Sequence, residues 1–205
     1  IGEPISVFNE FLYKCFDLAS NSLDFDKEFD AIKERYNGII ADLGVDISLE
    51  DDFNTIKNEL KSKPNRDFAA SRGEFLNGKI LAAFLGFEFI DAAEIITFNT
   101  NGMLLLDETV KKIRARIDGI NHAVVPGFYG STTEGTVKTF SRGGSDVTGS
   151  ILANAVKASI YENWTDVSGF LVTDPRIVDN PEVINVITYK ELRELAYMGA
   201  SVLHE

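Results

Sequence analysis

The stretch Thr136-Val137-Lys138-Thr139-Phe140-Ser141-Arg142-Gly143-Gly144-Ser145-Asp146, followed by the apolar helical pattern Val147 to Val156, decides how this chain is read. A β-like run enters a turn with two adjacent glycines and leaves it as a helix. Glycine lets the backbone pass close to a ligand, and the free N–H groups of a first helical turn carry partial positive charge. Arg142 adds a planar fork of donors suited to a carboxylate or phosphate, and Asp146 sets an acid in the same turn. A donor fork beside an acid predicts a small zwitterionic or phosphorylated ligand.

On both sides of this turn the pattern alternates. Upstream, His122 to Val125 reads as a buried strand, Pro126 to Gly135 as a glycine-rich loop and Thr136 to Phe140 as a second strand. Earlier still, Ile95 to Phe98 and Met103 to Leu106 flank Asn101-Gly102, a hairpin signal, and Asp107 is expected to cap a basic amphipathic helix running to about Ile117. Downstream come a strand-like Ala158 to Trp164, the turn-rich Thr165 to Asp174 and a last helix from about Tyr189. Alternating strands and helices predict an α/β fold with a mostly parallel sheet and helices on its faces.

Residues 1–85 differ in texture and read as helices. Ile5, Phe8, Leu12, Cys15, Phe16 and Ala19 share one helical face, and Phe25, Phe29, Ile32, Tyr36, Ile39 and Leu43 repeat the spacing before Gly44, a plausible C-cap. Leu49, Phe53, Ile56 and Leu60 give a third helix, with Ser48 as N-cap and Pro64 ending it. These stripes are core positions rather than a cofactor box. A fourth segment, Phe68 to Phe84, is less regular because Arg72, Gly73, Glu74 and Gly78 interrupt its apolar face.

With 205 residues and 44% hydrophobic content, the chain can bury a full core as one domain or one and a half. A net charge of −12 argues against nucleic acid or an anionic membrane as the main partner. No run approaches the length of a membrane span, so a soluble, cytoplasmic protein is expected. Cys15, the single cysteine, excludes an internal disulfide and reads as a small buried hydrophobe. The chain opens at Ile1 rather than Met and stops just after the apolar pattern Leu192, Leu195, Ala196, Met198, so both ends read as cuts in a longer protein.

Walker-type, dinucleotide-binding, zinc-hydrolase and Cys-x-x-Cys signatures are absent from the sequence. His122 sits in an apolar run and is expected to be a core imidazole; neither it nor His204 is assigned a role, and no metal site is expected. Three glycine-linked polar turns remain: Pro126 to Ser131, Ser141 to Asp146, and Thr165 to Gly169 with Thr173 to Arg176 close behind. Ligands of open parallel sheets bind beyond the carboxyl ends of the strands, and each turn follows a strand-like run. The three are expected to converge on one site.

Taken in order, Phe140-Ser141-Arg142-Gly143-Gly144-Ser145-Asp146, Trp164-Thr165-Asp166-Val167-Ser168-Gly169, Thr173-Asp174-Pro175-Arg176 and Ile187 through His204 closely resemble the successive motifs of aspartate kinases. Ser71-Arg72-Gly73-Glu74 resembles that family's Ser-x-Gly-Glu element, in the right order before the others. The resemblance runs from about residue 65 to the end. It implies the amino acid kinase fold, a three-layer αβα sandwich, with the helix-rich part at the N-terminus. Residues 1–205 would then be an incomplete catalytic domain, without the family's opening Lys-Phe-Gly-Gly strand and without its C-terminal ACT domains.

The reaction so implied is transfer of the γ-phosphoryl group of ATP, with Mg2+ carried on its phosphates, to the side-chain carboxylate of L-aspartate. By the same resemblance Arg142 clamps the substrate carboxylate, Glu74 faces its ammonium, and Phe128 and Ser145 line the pocket. Asp146 stands beside the reacting centre as the catalytic residue, and Thr165, Asp166, Asp174 and Arg176 lie on the nucleotide side. Chemistry alone would make Glu74 a solvated carboxylate on an exposed helix side, Arg176 a turn-closing charge and Phe128 a loop anchor. Leu171, Ser168 and Ser201 depart from residues frequent in the family, all on the nucleotide side. The family also implies a homodimer or higher homo-oligomer, with little activity for the piece alone. A sister kinase for glutamate, acetylglutamate, carbamate or UMP, and a non-catalytic core that binds ligand weakly or packs on a partner, stand as alternatives.

Overall fold

The computed structural model of the chain describes residues 2–141, 143–164, 171–173 and 177–197. Its first half is helical, with α1 (Gly2–Ser20), α2 (Asp26–Leu43), α3 (Glu50–Ser62) and α4 (Arg66–Leu85). The side chains of residues 2–9, Ile5 and Phe8 among them, lie outside the described part. The aromatic stripes pack as their spacing predicts, except that Leu43, at the end of α2, is exposed: Phe25, Phe29, Ile32 and Tyr36 meet Leu49, Phe53, Ile56 and Leu60, with Leu12 and Cys15 from α1 and Leu76 and Ile80 from α4 closing one cluster. Phe29 and Phe53 meet edge to face at 6.4 Å. Gly44 caps α2 at φ +64, a left-handed conformation that costs glycine least. Cys15 is fully buried; burial, then the Glu28 charge, pushes its thiol up to about 12.

The irregular pattern of α4 has a physical reason. This helix is buried on more than one side, touching α1 and α2 as well as the strands Glu88–Phe89, Ala123–Val124 and Val137–Thr139, so a single apolar stripe would not serve it. Arg72 and Gly73, expected to interrupt the apolar face, are buried. The Arg72 guanidinium stacks 4.5 Å from the Phe75 ring, 4.7 Å from Phe68 and 5.3 Å from Tyr129, and donates to the Ser71 hydroxyl. Tyr36 donates from α2 to the Gly73 carbonyl at 3.0 Å. Asp67 accepts from Lys138 at 2.6 Å and from Thr139 at 2.8 Å, fixing the start of α4 to the sheet.

The second half comprises β1 (Glu88–Phe89), α5 (Ala92–Ile95), β2 (Thr97–Phe98), α6 (Leu106–Ile117), β3 (Ala123–Val124), β4 (Tyr129–Thr132), β5 (Val137–Thr139), α7 (Gly144–Val156) and α8 (Tyr189–Tyr197). β1 runs parallel to β3, with Glu88 opposite Ala123; β2 runs parallel to β4, with Thr97 opposite Ser131; β5 returns antiparallel on β4. Ile90, Ile95, Ile96, Phe98, Ile113, Tyr129 and Ile151 form a second core. Among the described residues no helix is long and apolar enough to cross a membrane.

Several local expectations change. The glycine-rich loop predicted over 126–135 contains β4, because Gly130 packs its bare Cα against Ile96. The Asn101-Gly102 hairpin survives as one bridge, Phe98 to Leu104, while Ile95 belongs to α5 and Leu106 opens α6, whose N-cap is Leu105 rather than Asp107. Likewise Leu49, not Ser48, caps α3. Ala158 to Trp164 forms no strand: it has no ladder partner among the described residues and lies against α7 instead. His122 is exposed rather than core, its ring stacked on Phe87 at 4.7 Å.

Candidate functional site

The turn singled out in the sequence ends at the N-terminus of α7. Gly143 is the N-cap, at φ +56 and ψ 22, and its carbonyl accepts from Val147 N–H at 3.0 Å. The helix therefore begins at Gly144, three residues earlier than its apolar pattern, and Ser145 and Asp146 fall in the first turn. N–H groups there have no acceptor within the helix and favour an anion.

The loop carrying Phe128 is pressed onto this turn. A β-carbon on Gly144 would lie 2.7 Å from Phe128 Cβ, and one on Gly127 would lie 3.1 Å from Ser145 Cα. Phe128 itself is held at φ +61, a left-handed conformation unfavourable for an aromatic residue. Its N–H donates to Thr148 Oγ1 at 3.1 Å and its carbonyl accepts from Phe140 N–H at 2.9 Å, while Thr148 donates to the Gly144 carbonyl at 2.7 Å. A buried threonine one turn into α7 thus locks loop to helix.

Asp146 is half-buried, and its Oδ1 accepts from Asn163 Nδ2 at 3.2 Å. Ser145 is exposed beside it. Glu74 corrects the expectation of a solvated carboxylate: it is half-buried on α4, and burial raises its carboxyl above the ordinary range. Its charge acts on the phenols of Tyr36 and Tyr129, both raised chiefly by burial. α4 also meets the loop directly, since a β-carbon on Gly78 would lie 3.6 Å from Pro126 Cβ.

Phe128, Ser145 and Asp146 are thus brought together at one helix end, and Glu74 acts electrostatically on the residue after Phe128. Arg142, Thr165, Asp166, Asp174 and Arg176 lie outside the described residues. A groove of about 450 Å³ between α6 and α7, lined by Leu106, Asp107, Val110, Lys111, Arg114 and Asn154, contains none of the expected site residues.

Comparison with known proteins bears on this geometry. Residues 27–205 match the model of the amino acid kinase family. Aspartokinase 3 of Bacillus subtilis (strain 168) is 37% identical over 193 residues, covering 86% of this chain and 42% of that protein. The crystal structure of a Clostridium acetobutylicum aspartate kinase superposes with a TM-score of 0.88 at 50% identity, over 97% of this chain and 45% of the other. Escherichia coli aspartokinase III, in complex with aspartate and ADP, superposes with a TM-score of 0.74 at 23% identity, a likeness of fold. The chain spans less than half the length of these relatives. The described helices and short sheets have the amino acid kinase fold expected, and the chain belongs to the amino acid kinase family.

Proposed function

We propose that residues 1–205 form part of the catalytic domain of an aspartate kinase. The protein would transfer the γ-phosphoryl group of MgATP to the side-chain carboxylate of L-aspartate. A carboxylate oxygen attacks the γ-phosphorus, the bond to the β–γ bridging oxygen breaks, and ADP leaves with 4-phospho-L-aspartate formed. This is the first step from aspartate toward lysine, threonine and methionine. The attacking carboxylate is already ionised at neutral pH, so no proton has to be removed. Asp146 acts as an organiser of donors around the reacting centre rather than as a general base.

In this reading Arg142 grips a substrate carboxylate with its fork, Glu74 meets the ammonium, and Phe128 and Ser145 shape the pocket. Thr165, Asp166, Asp174 and Arg176 serve the nucleotide, with Arg176 offsetting phosphate charge and Mg2+ arriving on the ATP phosphates. The observation that carries the reading is the seating of Phe128 on Gly144 at the start of α7, directly after the Arg142 turn. The family relation and the 50% identity to an aspartate kinase support it. A cytoplasmic homodimer or larger homo-oligomer, with no nucleic-acid or membrane partner, completes the proposal.

A coupled ADP-release assay on the protein as its gene encodes it in full tests the reading. Wild type is expected to turn over with aspartate, and Arg142→Ala to lose at least a hundredfold in kcat/KM. Glutamate, acetylglutamate, carbamate and UMP, offered in the same assay, are expected to be poor acceptors. Absence of aspartate-dependent turnover in the wild type would refute the assignment.

A further inference from the structure

After α7 the chain turns back along its own helix. Lys157 adopts a left-handed conformation at φ +54, and Ala158 N–H returns to the Ala153 carbonyl at 2.9 Å, closing the helix end. The segment 158–164 then retraces α7 toward its N-terminus without forming a strand. Tyr161 reaches Gly149 and Asn163 reaches Asp146, so contacts separated by two residues in the segment meet positions three residues apart on the helix.

Gly149 is otherwise unexplained. Glycine inside a helix is unfavourable relative to alanine, and its φ is ordinary here. The Tyr161 ring accounts for it: a β-carbon at position 149 would collide with the phenol oxygen and lie 2.9 Å from Cζ and 3.0 Å from Cε2. The bare glycine lets the ring lie on the helix backbone. Burial, and then the Asp146 charge, raise the Tyr161 phenol, in keeping with a ring set close to that carboxylate.

We propose that Asn163 is a positioning residue for Asp146, and that the Tyr161–Gly149 contact anchors the segment that delivers it. The amide fixes one carboxylate oxygen of Asp146, leaving the other for the donors around the reacting group. The same anchor sets where the chain reaches Trp164, so one clamp ties the end of this segment to the first turn of α7. This inference rests on the aspartate kinase reading of Asp146.

The test compares Asn163→Ala, Asn163→Asp, Gly149→Ala and Asp146→Asn with wild type in the full-length protein. It combines ADP-release kinetics, calorimetric titration with aspartate and with MgATP, and thermal unfolding. Removing the amide is expected to lower kcat about five- to tenfold, the scale of one positioned hydrogen bond, while both dissociation constants stay within about twofold. Asn163→Asp sets a like charge against Asp146 and is expected to cost more than thirtyfold. Gly149→Ala is expected to lower kcat about fivefold without lowering the unfolding temperature, because alanine favours the helix while its methyl displaces the ring.

An Asn163→Ala kcat within twofold of wild type, with Asp146→Asn inactive, overturns the clamp and leaves the kinase reading standing. So does a kcat loss matched by equal losses in binding and unfolding temperature. Wild-type protein without aspartate-dependent turnover, or Asp146→Asn with full activity, overturns the reading of Asp146 and the clamp with it.

Discussion

Phe128 and Gly144 are in such close contact that the glycine has no room for a side chain: an added β-carbon would sit 2.7 Å from Phe128 Cβ and 2.8 Å from its Cα. Both obstacles are backbone or backbone-attached atoms, which cannot rotate away. The contact fixes the height of the 126–130 loop over the first turn of α7.

Gly144→Ala therefore forces loop and helix apart. It is expected to destabilise the protein by about 1–3 kcal/mol, the range for overpacking a filled site. Urea unfolding measures that loss, and calorimetry should show aspartate affinity falling with it, because Phe128 and Ser145 separate. An unchanged urea midpoint would contradict the rigidity of the contact.

Thr148→Val keeps the shape of a buried side chain and removes its oxygen. The Phe128 N–H, which now donates to Thr148 Oγ1 at 3.1 Å, loses its acceptor while φ stays at +61. The expected cost is about 1–3 kcal/mol, the penalty of an unsatisfied buried donor. Hydrogen exchange at the Phe128 amide should accelerate more than at Tyr129, which lies in the β4 ladder.

Glu74 makes stability depend on pH with a definite sign. Burial holds its folded carboxyl above the ordinary 4.5, so between those two values the folded protein binds more protons than the unfolded chain. Stability from this group falls as pH rises through that window. Glu74→Gln should flatten the slope and raise the unfolding temperature at neutral pH. If Glu74 meets the ammonium of aspartate, wild-type affinity for aspartate should strengthen as pH rises through the same window, and the glutamine variant should bind weakly at every pH.

Asp67 works in the opposite sense. Burial raises its carboxyl, but the hydrogen bonds and charge from Lys138 and Thr139 outweigh it and hold the group below 3.8. Its contribution is present above 3.8 and lost as pH falls through the folded value. Lys138→Met should shift the acid-unfolding midpoint upward and cost about 0.5–1 kcal/mol at neutral pH, since the pair is partly screened by solvent.

Helix placement was legible in the sequence wherever one face was apolar. α2 and α3 follow their aromatic stripes, and Gly44 caps as its position suggests. α4 resisted because neighbours on several sides bury it, so Arg72 and Gly73 read as interruptions although they are buried contacts. Strands of two to four residues, such as β1 and β4, are too short to show alternation. At the site, Phe128, Ser145 and Asp146, expected on one site, lie near one helix end. The motifs did not show the Thr148 lock or the Asn163 contact, because both depend on chain reversals that local pattern does not encode.

Cys15 turns the helical half into its own reporter. Its thiol is shut away among the α1–α4 side chains and pushed up to about 12, so in the native state it offers maleimide neither access nor a thiolate. Alkylation must wait for the helices to part, and with one thiol in the chain the labelling rate counts those excursions directly. Added aspartate or nucleotide that quieted the labelling would reveal, from a position far along the chain from Asp146, that an occupied site steadies the helices as well.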